Sequence, residues 1–174
     1  MTRDADLQAD LRRYPKRSYL KEQSIWAIWV YRFGRRVVKR KPSLLRSIQL
    51  YIYWAMFRFI ETITGVSLPL NAQIGPGLRI YHFGNIFIHS DAVIGRNCTL
   101  RPNVSIGNRN ENSGVPTIGD DVEFGFGAVA IGPIHIASGA KIGPLTLVAF
   151  DVPEKSTVLG SPGKIVQTGL WKAG

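Results

Sequence analysis

The 174-residue sequence predicts a mainly β fold: a left-handed parallel β-helix of hexapeptide repeats, preceded by an N-terminal α-helical region. The first observation is a period of six. Counting in sixes from residue 88 gives Ile88, Ile94, Leu100, Ile106, Ile118, Phe124, Ala130, Ile136, Ile142 and Val148, with only Asn112 skipped. A helix repeats about every 3.6 residues and a strand about every 2. Neither gives this spacing, whereas a chain that turns a corner every six residues does. The second observation is a smaller or β-branched residue four places after nearly every anchor: Ala92, Cys98, Val104, Val122, Ala128, Ile134, Ala140, Thr146 and Val152, with Asn110 the exception. The third is glycine directly after the anchor, at Gly95, Gly107, Gly119, Gly125 and Gly143. One large side chain fills each face, a smaller one fits near the corner, and glycine or a short polar residue takes the turn.

Taken in order, residues 1–17 show no apolar period and read as loose. From about Leu20 to Lys39 the pattern is helical, with Ile25, Ile28 or Trp29, and Phe33 along one side and Gly34 as a candidate interruption. Pro42 stops that helix and Ser43 can cap the next, expected from about Leu44 to Ile63 and ended by Gly65. Hexads begin at Val66. Leu68, Ile74 and Ile80 keep the period, but Ile80 to Ile88 is eight residues, so two extra residues fall near Tyr81–Asn85. A second break, Asn108–Thr117, occupies one hexad without an apolar anchor and predicts a loop. The breaks are about 24 residues apart, little more than one coil of three hexads, which allows them to lie near each other along the axis. The chain thus divides into a helical region (1–64), a β-helix (65–166) and a tail (167–174).

Charge is unevenly spread. Residues 1–64 hold 14 Lys and Arg against 5 Asp and Glu, and residues 65–174 hold 8 against 7, so the net charge of +10 belongs almost wholly to the helical region. The cluster Arg35, Arg36, Lys39, Arg40 and Lys41 follows the aromatic run Trp26, Trp29, Tyr31 and Phe33. Two readings stand: solvated and inter-subunit helix packing, or peripheral contact with an anionic membrane. No nucleic-acid motif accompanies the charge, so nucleic acid is not an expected partner. The polar N-terminus carries no signal-peptide pattern, and the most apolar stretch, Ile48–Ile63, contains Gln49, Arg58 and Glu61 and falls short of a span. With one cysteine, Cys98, in an inward slot, a cytoplasmic protein is expected, on the inner face of the membrane if peripheral.

Residues Gly65–Val166 resemble the serine O-acetyltransferase branch of the left-handed β-helix acyltransferases, most closely the exopolysaccharide acetyltransferases of the colanic acid biosynthesis type. The resemblance rests on Tyr81-His82-Phe83-Gly84, on VSIGNR at Val104–Arg109, on GAKIG at Gly139–Gly143, on VLGSPGKIV at Val158–Val166, and on YRFGRRV at Tyr31–Val37. It implies a homotrimer that uses acetyl-CoA without a metal, with His82 as the general base that takes the proton from an acceptor hydroxyl. Imidazole suits that task, since its ordinary pKa of ~6.5 lies near working pH. The resemblance further implies a coenzyme groove at Phe126, Gly127, Gly143, Pro144, Phe150 and Ser161, with Lys164 near the nucleotide phosphates. Acceptor-site candidates are Ser67, Tyr81, His89, Asn108 and Arg109.

Departures from the family pattern bear on the acceptor. The family's orienting carboxylate falls at Ser67, the aspartate before the base is Tyr81, and the loop's second histidine falls near Val115. Ser67 is left as a weaker hydrogen-bond partner for His82. Phe126, Pro144 and Phe150 put bulk where the family is small or polar, which would alter pantetheine packing or admit a different acyl chain. These departures favour a sugar or polysaccharide-precursor hydroxyl over serine as the expected acceptor. Serine O-acetylation and a non-catalytic scaffold are the alternatives. A metal-dependent hydratase needs about three converging histidines. His82, His89 and His135 are spaced too widely along the coils for that.

Overall fold

Every anchor of the six-residue period points inward. The computed structural model describes residues 4–15 and 21–162. In it, Ile88, Ile94, Leu100, Ile106, Ile118, Phe124, Ala130, Ile136, Ile142 and Val148 are all buried, as are the smaller residues of the second set from Ala92 to Val152. They fill the interior of a three-faced parallel β-helix. The first face stacks Val66–Ser67, Ile86–Ile88, Ser105–Gly107, Val129–Ile131 and Leu147–Val148. The second stacks Gln73–Ile74, Val93–Ile94, Thr117–Ile118 and His135–Ile136. The third stacks Arg79–Ile80, Thr99–Leu100, Glu123–Phe124, Lys141–Ile142 and Thr157–Val158.

Three edges join these faces. The edge between the second and third faces is regular, with left-handed backbone at Gly77, Asn97, Asp121, Gly139 and Lys155, one per coil. It is called here the cap edge. The edge from the third face to the first carries Tyr81–Asn85 and is the histidine edge. The edge from the first face to the second carries Asn108–Pro116 and is the loop edge. The two breaks are therefore close along the axis, since the strands Ile86–Ile88 and Ser105–Gly107 pair directly, but they lie on different edges with one full face between them. The cause is the order of the coil. Tyr81–Asn85 precedes a first-face strand, whereas Asn108–Pro116 follows one.

Three helices precede the coils: α1 (Ala5–Arg12), α2 (Ser24–Val38) and α3 (Leu44–Thr64). The expected looseness of the N-terminus is corrected by α1. The Asp4 carboxylate caps it, accepting the N–H groups of Asp6 and Leu7. Its sequence, ADLQADLR, has little apolar period because it docks mainly through polar side chains. Gly34 does not interrupt α2. A Cβ there would lie 2.5 Å from the Tyr53 ring, so glycine is what allows α2 and α3 to approach. Gly65 ends α3 in left-handed conformation, its N–H bonded to the Glu61 carbonyl at 2.8 Å.

A solenoid exposes unpaired backbone groups at its first coil. Here α1 and α2 satisfy many of them. Arg32 (3% exposed) and Asp10 (0%) form a buried ion pair at 2.7 Å. The Asp10 carboxylate also accepts the N–H groups of Gly77 and Leu78, both at 2.8 Å. The Arg32 guanidinium donates to the carbonyls of Ile74 and Gly75. The Tyr31 hydroxyl donates to the Ala72 carbonyl and accepts the Ile74 N–H, and the Tyr14 hydroxyl does the same for Ile80. Ile25, Ile28 and Tyr31 join the interior, so α2 plugs the open end.

Candidate active site

The histidine edge is where the chain abandons its regular turn. Its corner residues adopt left-handed backbone once per coil, at Gly65, Asn85, Asn103, Gly127 and Leu145. His82 (φ 61°) is the one non-glycine left-handed residue, among those described, that lies outside both edge columns. The two inserted residues put it there. Backbone bonds hold the insertion at its base, from the Gly84 N–H to the Thr64 carbonyl (3.0 Å) and from the Ile86 N–H to the Gly65 carbonyl (2.9 Å). A β-carbon in this conformation is strained, and such strain clusters at functional sites. The His82 side chain is exposed, and no described residue hydrogen-bonds its imidazole. Ser67 lies outward on the first face, in register with Phe87, and makes no bond to His82. The expected weak Ser67–His82 contact is absent.

Tyr81, next to His82, is pinned by cations. The Arg79 guanidinium lies 4.5 Å from its ring centroid and that of Arg101 lies 5.0 Å away. Sequence reading missed Arg101. The signal for it was the register: Arg101 follows the third-face anchor Leu100 just as Tyr81 follows Ile80, so the two are ladder neighbours.

Further up the same edge come Pro102 and Asn103, then Phe126 and Gly127, then Gly143, Pro144 and Leu145, then Leu159, Gly160 and Ser161. Backbone bonds link the levels: the Gly127 N–H donates to the Pro102 carbonyl (2.9 Å) and the Leu145 N–H to the Phe126 carbonyl (2.8 Å). Phe126, Leu145 and Leu159 are exposed, and Leu145, held left-handed, is 75% exposed. Five of the expected coenzyme-groove residues, Phe126, Gly127, Gly143, Pro144 and Ser161, thus share one edge with His82. Lys164 lies outside the described residues. Phe150 does not share that edge; it sits on the loop edge.

The loop edge holds the other candidates. In the Asn108–Pro116 loop the Ser113 hydroxyl accepts the N–H groups of Arg109 (2.8 Å) and Asn110 (3.0 Å), and the Asn108 amide donates to the Asn110 carbonyl. The Arg109 guanidinium reaches the Ala149 carbonyl, beside Phe150. His89 is on this edge too, its Nδ1 accepting the Asp91 N–H at 3.2 Å, so it does not line a cleft with His82 inside one chain. His135 lies outward on the second face. Among the described residues no three His, Cys, Asp or Glu side chains group to hold a metal. Burial pushes the Cys98 thiol up to about 11, and its sulfur donates to the Gly119 carbonyl, which leaves it a packing residue.

The geometry has close counterparts. A soybean serine acetyltransferase, solved with serine, superposes with a TM-score of 0.76 and 28% identity over 93% of this chain and 68% of that one. The chain shares the fold of serine acetyltransferases. A serine acetyltransferase solved with CoA gives a TM-score of 0.72 and 26% identity, covering 94% of this chain and 67% of the other. By sequence, the serine acetyltransferase of Bacillus licheniformis is 35% identical over 142 residues, 80% of this chain. Those residues span 62% of the relative, so the chain covers about three fifths of that enzyme's length. No family model matches the chain. The expected nearness to exopolysaccharide acetyltransferases gains no support from these relatives, which point to the serine branch instead.

Proposed function

We propose that this chain is an acetyl-CoA-dependent O-acetyltransferase with His82 as general base. The supporting observation is that His82, in strained backbone at an insertion, shares its edge with the apolar column Phe126, Pro144, Leu145 and Leu159. Pantetheine would lie along that column with its thioester toward His82. The imidazole takes the proton of the acceptor hydroxyl as the oxygen attacks the thioester carbonyl. The tetrahedral intermediate collapses, the C–S bond breaks, and the proton passes to the CoA thiolate. Holding both substrates in one groove supplies most of the acceleration, because the thioester is already activated.

Three chains would complete the site. The first face carries Phe87 and Leu147 exposed and Val129 half-buried in one ladder with Ser105, suited to burial around a threefold axis. Threefold packing through that face brings the histidine edge of one chain against the loop edge of the next. Phe150, Arg109 and His89 then face the neighbour's groove, which accounts for their absence from it within a single chain.

L-serine is the acceptor that the relatives favour, with Arg101 beside Tyr81 as the cation for its carboxylate. A sugar or polysaccharide-precursor hydroxyl is the second reading. It is favoured by Ser67 where the family resemblance calls for a carboxylate, and by Val115 in the loop. Release of CoA thiol from acetyl-CoA, followed with L-serine and with sugar acceptors, separates them. Turnover with serine, lost in Arg101→Ala, supports the first reading; turnover with sugars alone supports the second. No transfer to any hydroxyl would overturn both.

A further inference from the structure

Helix α3 has two apolar stripes, and only one is packed. Leu50, Tyr53, Phe57 and Ile60 meet α2 and the first coil through Val30, Phe33 and Leu70. On the opposite side, Leu44, Leu45, Ile48, Ile52, Phe59 and Ile63 fall along one face, most of them three, four or seven residues apart, and all six are exposed. Leu44 is 80% exposed and Phe59 63%. The helix has 21 residues and is therefore about 30 Å long. A stripe of that length on one helix is more than scattered surface residues.

Its setting is cationic. Between Glu22 and Glu61 there is no acidic residue and there are eight Lys or Arg. Arg32, Arg36 and Arg58 are paired with Asp10, Asp4 and Glu61. Lys39, Arg40 and Lys41, at the entry to α3, are exposed and form no ion pair among the described residues. No helix among those described is long and apolar enough to cross a membrane. An exposed apolar stripe with cations at its end matches an anionic lipid surface, where the stripe enters the acyl boundary and the cations meet headgroup phosphates. A second copy of the chain fits less well, because two such surfaces would bring like charges together.

We propose that the outward stripe of α3 docks on an anionic bilayer, with Lys39, Arg40 and Lys41 at the headgroups. Docking is independent of the acyl-transfer reading and is measured without turnover. It has a positional consequence: α3 ends at the His82 insertion, where the Thr64 carbonyl accepts the Gly84 N–H at 3.0 Å. A docked chain holds that insertion near the bilayer surface.

The test is co-flotation of the full chain with vesicles of phosphatidylcholine alone or with phosphatidylglycerol. Binding should be at least ~10-fold tighter to the anionic vesicles and should weaken with salt. Ile52→Glu with Phe59→Glu should lower it ~10-fold or more, and Lys39→Gln, Arg40→Gln and Lys41→Gln together should remove the preference for anionic lipid. Thermal melts report whether each variant folds, and Leu44→Glu, at the most exposed position of the stripe, serves should the double variant not fold. The proposal is overturned if the wild type ignores anionic vesicles, or if the folded stripe variants bind them as well as wild type. It is equally overturned if the stripe variants dissociate a larger assembly that does not itself bind vesicles, which would assign the stripe to a second copy.

Discussion

The cap edge and the histidine edge follow the same backbone plan and differ in nearly everything else. Both place a left-handed residue at each coil, two positions before the next strand register. The cap edge fills its outward positions with polar residues such as Asn97, Asp120, Ser138 and Lys155, and satisfies its own hydrogen bonds. The Asp120 carboxylate accepts the Arg96 N–H, and the Ser138 hydroxyl accepts the Asp120 N–H. At its first coil Arg13 donates to the carbonyls of Gly77 and Cys98. The histidine edge leaves Phe83, Phe126, Leu145 and Leu159 exposed and His82 unbonded. One edge is finished as structure; the other is left open, and it is the one to which the proposed function assigns the coenzyme.

The largest effect should come from breaking the finished side. Arg32→Ala strands the buried Asp10 carboxylate and should cost ~3–5 kcal/mol in urea unfolding. A loss under about 1 kcal/mol would show that capping of the first coil matters little. The open side should respond in rate instead. His82→Ala should lower acetyl transfer ~10²-fold or more, about 2.7 kcal/mol, with an unchanged melt. An unchanged rate would remove His82 from the chemistry.

Two matched substitutions sharpen the contrast. Leu145 on the histidine edge (φ 52°) and Lys155 on the cap edge (φ 54°) both hold a β-carbon in left-handed backbone. Asparagine tolerates that conformation better, so Leu145→Asn and Lys155→Asn should each stabilise by about 1 kcal/mol. Only Leu145→Asn should weaken CoA binding, read by calorimetry. Equal effects on CoA would mean the edges are not distinct.

The smallest effect is in pH. Burial raises the Cys98 thiol from 9.0 to about 11, and raises Tyr14 and Tyr31, whose hydroxyls cap the first coil. Raised pKa values in the folded state mean that their stabilisation is whole below the unfolded values and is lost as pH rises. Melting temperature should therefore fall from pH 9 toward 11, less steeply in Cys98→Ala. An identical slope would separate Cys98 from the trend.

The coils were legible because one rule repeats ten times: an anchor every six residues, each of which proved buried. The edges were less so. The same count gives each break its corner only when taken in groups of three hexads; distance along the chain gave the level and not the edge. Helix α1 was illegible because Asp10 and Arg13 work through polar contacts that leave no period. His82 stood out by its insertion. Arg101 did not, because its meaning lies in the ladder neighbour Tyr81, a coil away in sequence.

A structure of this chain with CoA bound tests the central claim most directly. The account predicts the pantetheine arm along Phe126, Pro144 and Leu145, with its sulfur toward His82. CoA lying against the cap edge, or with its sulfur away from His82, would contradict it.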